Sequence, residues 1–287
     1  MRLYFAIAPA RIYFKMLEEE NVESVLSSYA FIKDPQKMIN LWGDFVPKNL
    51  ILDSGAFSVW SNGKTVDIDS YALFCEGVKR LLPSEVNLYV VNLDVLPGKF
   101  GQRPTNEERE YSASQGFENM LYLESKGLKV IHVFHQHEDF KWLDKMRNHS
   151  DYIGISPAND CSMKEKLHWL NEVFGLIKDT IKTHGFAVTS HEQLYRYPFY
   201  SVDSSSWTAP ARFGRIPIFM DDLTMKSIQY KDKENVVKYW DYLKHIGIEK
   251  LGADKYEDRV KLAIRSYQQL EKMATNIWTK RGITFND

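Results

Sequence analysis

Three aspartates stand where short apolar runs end: Asp53 in NLILDSG, Asp94 in VNLYVVNLD and Asp203 in FYSVDS. A carboxylate in such a place can act as a nucleophile or a base, and of two acids near one pocket one can stay ionised while the other carries a proton. Neighbouring acids push their pKa values apart, which supports that division of labour. Asp203 is followed by Ser204, Ser205, Ser206 and Trp207, then by Arg212 and Arg215. The arginines could grip phosphates and Trp207 could stack on a base or sugar. Lys226, Lys231 and Lys233 could extend the same rim. Each has a plainer alternative: a helix cap for Asp203, core packing for Trp207, a solvated face for the basic residues.

The fourth polar group is His132, His135 and His137 with Glu138. A zinc site needs donors that converge tetrahedrally. On a strand, positions 135 and 137 share one face and 132 lies on the other. The spacing fits no helix-borne or finger pattern, so these residues read as satisfied polar groups at a strand end. No metal and no cofactor is expected.

Strands are needed to hold such residues. RLYFAIA (2–8), NLILDSG (49–55), VNLYVVNLD (86–94), KVIHVFH (129–135), DYIGIS (151–156), GFAVTS (185–190) and FYSVDS (199–204) are short, apolar and bounded by turn residues. Between them lie helical patterns. VESVLSSYAF sets Val22, Val25, Leu26 and Tyr29 on one helical face. Thr105-x-x-Glu108 and Ser162-x-x-Glu165 fit capping boxes. After the second, Leu167, Leu170, Phe174, Ile177 and Ile181 keep helical spacing up to a C-cap at Gly185, and Gly127 ends the helix begun near Thr105. Tyr256, Val260, Ile264, Tyr267 and Leu270 make a last apolar stripe. Asn62-Gly63 marks a hairpin turn, which frees Asp53 from capping, and Gly55 would let a ligand approach the backbone.

Alternating strands and helices imply a parallel sheet with helical crossovers. No G-x-G-x-x-G follows the first strand or appears elsewhere, so an open dinucleotide-binding sheet fits less well. The expected fold is α/β: a single (β/α)8 TIM-type barrel spanning 1–287 as one domain. Its eighth strand is contested between IPIFM (216–220) and IGIEKLG (246–252). In such a barrel the strand C-termini form one mouth, so the three acids meet there.

Composition bounds the partners. The 287 residues are 44% hydrophobic and 26% charged, the balance of a globular protein, and net charge is −1. A broad nucleic-acid-binding face would be more basic, so any positive potential must be local. Two cysteines, Cys75 and Cys161, cannot build a disulfide framework or a structural zinc site, and a reducing cytoplasm is the expected setting. No apolar run is long enough to cross a bilayer, and MRLYFAIAPAR reads as a first strand rather than a secretory signal.

Taken in chain order, the polar segments resemble one family. LDSGAFS resembles the DSGGFQ motif of tRNA-guanine transglycosylases, barrel enzymes that exchange guanine for a 7-deazaguanine base. VVNLDVLPG resembles their second base-reading aspartate segment, IHVFHQH the strand with the base-reading glutamine, and YIGIS the glycine-bearing strand. HGFAVTSHEQLYRYPFYSVDSSSW resembles the stretch leading to the nucleophilic aspartate. The resemblance implies Asp203 as nucleophile and Asp53 as general acid and base. It implies Asp94 as reader of the guanine N1 and N2 donors, with the Gln136 amide and the Gly154 backbone at O6. Ser54 and Gly55 belong to the substrate-binding segment. The family's zinc-binding Cys/His module has no counterpart among two cysteines, and DSGAFS departs from the motif at two positions. These departures resemble the compact branch that installs 7-deazaguanines in DNA, known from phages and bacterial genomic islands. The implied partners are DNA, or tRNA, and a free base of the preQ0 type, with a homodimer as the family's frequent assembly. Outside the family, an acid pair in a barrel would also serve a glycoside hydrolase, and a non-catalytic nucleic-acid-binding module would not need Asp203.

Overall fold

The computed structural model describes the chain except residues 100, 101, 103, 137, 178–180, 286 and 287. Eight parallel strands close on themselves: β1 (Arg2–Ala6), β2 (Ser24–Ser28), β3 (Asn49–Asp53), β4 (Asn87–Val91), β5 (Val130–His135), β6 (Tyr152–Ser156), β7 (Lys182–Gly185) and β8 (Ser201–Ser204). β8 pairs back onto β1, with Tyr4 opposite Asp203. The protein is a (β/α)8 barrel, as the alternation of elements predicts.

Both faces of these strands are covered, because a parallel sheet carries its crossover helices on one side and closes on the other. Leu3, Phe5, Leu50, Leu52, Ile153 and Val202 pack outward in the core shared with the helices. Tyr4, Leu26, Ile51, Val91, Val133 and Tyr152 fill the interior. The two-residue period then fixes which polar side chains can look into the mouth. Asp53 follows Ile51 on the inward face, His135 follows Val133, and Asp203 follows Ser201.

Four sequence expectations need correction. Residues 22–31 are not a helix: Ser24–Ser28 is β2, a strand with Ser24 to Ser27 all buried. The seventh strand is Lys182–Gly185, earlier than the expected 185–190, and Gly185 is its last residue rather than a helix cap. The preceding helix, Met163–Ile177, ends before Ile181. Neither contested segment completes the barrel. IPIFM belongs to β9 (Arg215–Phe219), antiparallel to β10 (Met225–Gln229), and residues 248–251 are helical. Ile216, Ile218, Ile228, Leu243, Ile246 and Leu262 give this hairpin and its short helices a core of their own.

Other local signals hold. The Thr105 box closes with Thr105 N–H donating to Glu108 at 2.8 Å and Glu108 N–H donating to Thr105 Oγ1 at 3.2 Å. The Ser162–Glu165 pair does the same at 2.7 and 3.3 Å. Gly127 follows the helix Asn106–Ser125 with φ +73°. Val260, Ile264, Tyr267 and Leu270 are the buried stripe of the helix Tyr256–Lys280. A fifth expectation fails: Asn62-Gly63 is no hairpin turn between strands but turns the chain after a short helix, Ala56–Trp60, which starts just after Asp53 with Gly55 at its N-cap. Among the described residues, no helix is long and apolar enough to cross a membrane.

Candidate functional site

A cavity of about 610 Å³ opens at the C-terminal ends of the strands and is lined by Asp53, Asp94 and Asp203 together. That is in the range of small-molecule sites. The three acids, from β3, the loop after β4, and β8, do converge.

Asp53 ends β3. Its Oδ2 accepts the Gly55 N–H at 3.1 Å. Burial pushes its carboxyl up to about 6; hydrogen bonds from Ser28 and Gly55 oppose the shift, and the charges of Asp203 and Asp94 add to it. A carboxyl in this state can both give and take a proton near neutrality.

Asp94 has a cationic neighbour. His135 Nε2 lies 3.3 Å from Asp94 Oδ2, and His135 Nδ1 lies 3.0 Å from Glu138 Oε1. The backbone N–H of His135 also donates to Glu138 Oε2 at 3.2 Å. Burial opposes a charge on this ring, but the two carboxylates outweigh it and hold its pKa well above the usual histidine value. His135 lines the cavity clamped between two acids that favour its charged form. The sequence reading treats it only as a satisfied polar group. The signal for more was Glu138 three residues on, with Asp94 just past the end of the neighbouring strand. His132 points the other way, into the helix layer, with Nδ1 3.2 Å from Met120 Sδ; burial lowers its pKa to about 3. His137 lies outside the described residues. Among the described residues no cluster of three or more His, Cys, Asp or Glu is arranged for a metal ion.

Asp203 caps no helix. The turn that follows is met by Ser204, whose Oγ accepts the Ser206 N–H at 3.2 Å. Asp203 Oδ1 instead accepts the Ala187 N–H at 2.9 Å. Ala187 has φ +54°, a left-handed conformation that costs a non-glycine residue about 1 kcal/mol. The strained residue aims its N–H at the carboxylate, which ties the loop after β7 to the end of β8.

The remaining expected site residues divide. Ser54 is buried in the cavity lining, and its Oγ accepts the Ala56 N–H at 3.4 Å. Arg212 is exposed at the rim, where the hydroxyls of Tyr13 and Tyr256 stabilise its guanidinium and raise its pKa. Gly55 has φ +70°, and a Cβ there would stand 2.4 Å from Ala30 Cβ; the glycine fits the turn and its neighbour, not a ligand. Gln136 turns out of the cavity, its Oε1 accepting the Ala158 N–H at 3.0 Å. Gly154 faces inward, but the Phe186 ring covers it, 2.5 Å from where a Cβ would be. Trp207 is fully buried, donates from Nε1 to Ala6 O at 3.0 Å, and meets Phe5 and Tyr13 edge-on. It props the wall and stacks on no ligand. Arg215 begins β9 and is exposed, outside the cavity lining.

No family model and no curated protein matches the chain. Solved structures match it along nearly its whole length. An L-ribulose 3-epimerase aligns with 8% identity and a TM-score of 0.47, covering 100% of this chain and 99% of that one. A D-allulose 3-epimerase from Methylomonas sp. gives 11% and 0.45 over 94% and 98%. A structure described as native KDPGal gives 8% and 0.44 over 94% and 95%. At these identities the likeness is one of fold.

Proposed function

We propose that the protein exchanges guanine in DNA for a 7-deazaguanine base through a covalent aspartyl-glycosyl intermediate. The observation that carries the reading is the meeting of Asp53, Asp94 and Asp203, from β3, the loop after β4 and β8, in one cavity with room for a nucleoside.

Asp203 attacks C1′ of the nucleoside as the C1′–N9 bond breaks, giving an ester between the carboxylate and the sugar. Protonated Asp53 delivers its proton to the departing guanine and becomes a carboxylate. The incoming base then loses its N9 proton to Asp53, its nitrogen attacks C1′, and Asp203 leaves as a carboxylate. Protons and charge balance over the cycle, and no cofactor is consumed. An Asp53 carboxyl near 6 supports both halves.

Asp94 accepts from the N1 and N2 donors of either base. Its partner His135 has both ring nitrogens on carboxylates, so it orients Asp94 rather than reading the base. With Gln136 and Gly154 turned away or covered, Ser156 is the nearest substitute: it follows Gly154 on the inward face and lines the cavity. Arg212 at the rim is suited to a phosphate flanking a flipped nucleotide. The departures from the tRNA enzymes, DSGAFS at the motif and the lack of a zinc module in a chain with two cysteines, favour DNA over tRNA.

Trapping tests the reading. Incubation with a guanine-containing DNA oligonucleotide followed by denaturation yields a covalent adduct that Asp203→Asn abolishes. A labelled free base enters DNA and not tRNA. Label entering tRNA alone moves the substrate. No adduct on either, with release of free sugar from a glycoside, makes the protein a hydrolase instead.

A further inference from the structure

Beneath the cavity lies a column of buried polar groups that the exchange steps above do not use. His184, the inward residue of β7, is 0% exposed. Its Nδ1 is 2.6 Å from Ser201 Oγ, and Ser201 Oγ is 2.6 Å from Tyr152 Oη. His184 and Ser201 are register partners on β7 and β8, so the imidazole lies directly below Asp203, two residues further along β8. Its Nε2 has no hydrogen bond and faces Asp203 Oδ1 at 3.5 Å. Tyr4 from β1 and Phe186 close the ring off edge-on, at centroid distances of 5.7 and 4.4 Å.

We infer that His184 is a positioning residue for Asp203: Tyr152, Ser201 and His184 form a buried hydrogen-bond chain that keeps the imidazole proton on Nε2, aimed at Oδ1. The chain can run in two directions. If Tyr152 donates to Ser201 and Ser201 donates to Nδ1, the ring presents Nε2–H to the carboxylate. If Nδ1–H donates to Ser201, an Nε2 lone pair faces an anion in a dry site, which is repulsive. The charge on Asp203 selects the first arrangement, and the buried Tyr152 hydroxyl, whose pKa burial raises, keeps the proton it must donate. Nε2–H and the Ala187 N–H both act on Oδ1. The carboxylate is thereby rotated so that Oδ2 meets C1′. The role in attack rests on the base-exchange reading; the proton placement does not.

Two measurements separate them. Nitrogen NMR of the free protein labelled with ¹⁵N-histidine shows a neutral His184 protonated at Nε2, and Ser201→Ala mixes its tautomers. An Nδ1–H tautomer, or an imidazolium, overturns the inference whatever the protein catalyses. Single-turnover adduct formation with the DNA oligonucleotide then drops about 10- to 100-fold in His184→Phe, the range expected when a reacting group is misaligned. Affinity for the free base, set by Asp94, stays unchanged. His184→Gln, which keeps an N–H donor near the ε position, recovers most of the rate and guards against a folding defect in the phenylalanine variant. Wild-type adduct formation in His184→Phe sinks the positioning role. A wild-type protein that forms no adduct removes the exchange reading and confines the inference to the tautomer, which the NMR experiment still decides.

Discussion

A carboxyl that must donate a proton and later recover one works best when its pKa lies near the working pH. Burial takes Asp53 to about 6. In the proposed exchange, adduct formation needs Asp53 protonated and Asp203 ionised. Its single-turnover rate should therefore rise as pH falls from 8 to about 6 and level off below. Asp53→Asn should remove that rise and slow the step by about 10²–10⁴; a wild-type profile flat from pH 8 to 5 would refute the assignment. His135 makes a separate claim. Replacing it with Phe takes the imidazole from both Asp94 and Glu138 and leaves Glu138 only the backbone N–H of residue 135. Free-base affinity, read by titration calorimetry, should fall about tenfold or more, as for one lost charged hydrogen bond. Unchanged affinity would mean that Asp94 does not read the base. The acids are legible in the sequence because each ends an apolar run. Gln136 misleads because the strand alternates: with Val133 and His135 inward, Gln136 must point elsewhere, and one residue of register decides it.

At the scale of elements, the misread segments have a common cause. A barrel strand is buried on both faces, so the alternation that marks a half-exposed strand disappears. In β2, Val25 faces the helices and Leu26 the interior, with buried Ser24 and Ser27 beside them. The resulting spacing of Val22, Val25, Leu26 and Tyr29 mimics a helix. In β7 the interior position is His184 and the strand opens on Lys182, so the apolar run that betrays the other strands is missing. The capping boxes are read correctly because cap chemistry is local and does not depend on what packs against the helix. The turn after β3 is equally local and can be tested. Gly55→Ala meets a left-handed φ and the Ala30 side chain at once, whereas Gly63, with φ +68°, has open space around it. The first substitution should cost about 2–4 kcal/mol, the second only the backbone part, about 1 kcal/mol. Denaturant titration of both variants gives the comparison, and equal losses would show that Gly55 is not packed against Ala30.

Across the whole molecule, the two ends of the barrel carry different loads. The C-terminal end holds the acids; at the N-terminal end the helix Tyr256–Lys280, packed along the outside of β1, ties down the chain start, where Thr275 Oγ1 accepts from the amino terminus at 3.0 Å. In barrels of this kind that second end serves stability. Glu271 sits on that helix beside Leu3, and burial pushes its carboxyl up to about 7, against the opposing pull of the Leu3 N–H, the amino terminus and Arg2. A raised folded-state pKa means the native protein holds this proton more tightly than the unfolded chain. The contribution is complete below the unfolded value near 4.5 and is lost as pH rises through about 7. The cost of ionisation at pH 8 is on the order of 3 kcal/mol. Asp53 acts with the same sign, through about 6. The protein should therefore melt higher at pH 5.5 than at pH 8. Glu271→Gln, which keeps an acceptor for Leu3 but cannot ionise, should raise the pH 8 melting temperature by a few degrees. It should also shrink the difference between the two pH values while leaving adduct formation at the wild-type rate. Asp53→Asn should shrink the same difference and abolish the pH-dependent rise in rate. The two variants thus separate a carboxyl kept for chemistry from one that merely lies under a helix, and a Glu271→Gln protein that melts lower at pH 8 would show that its charge is paired rather than penalised.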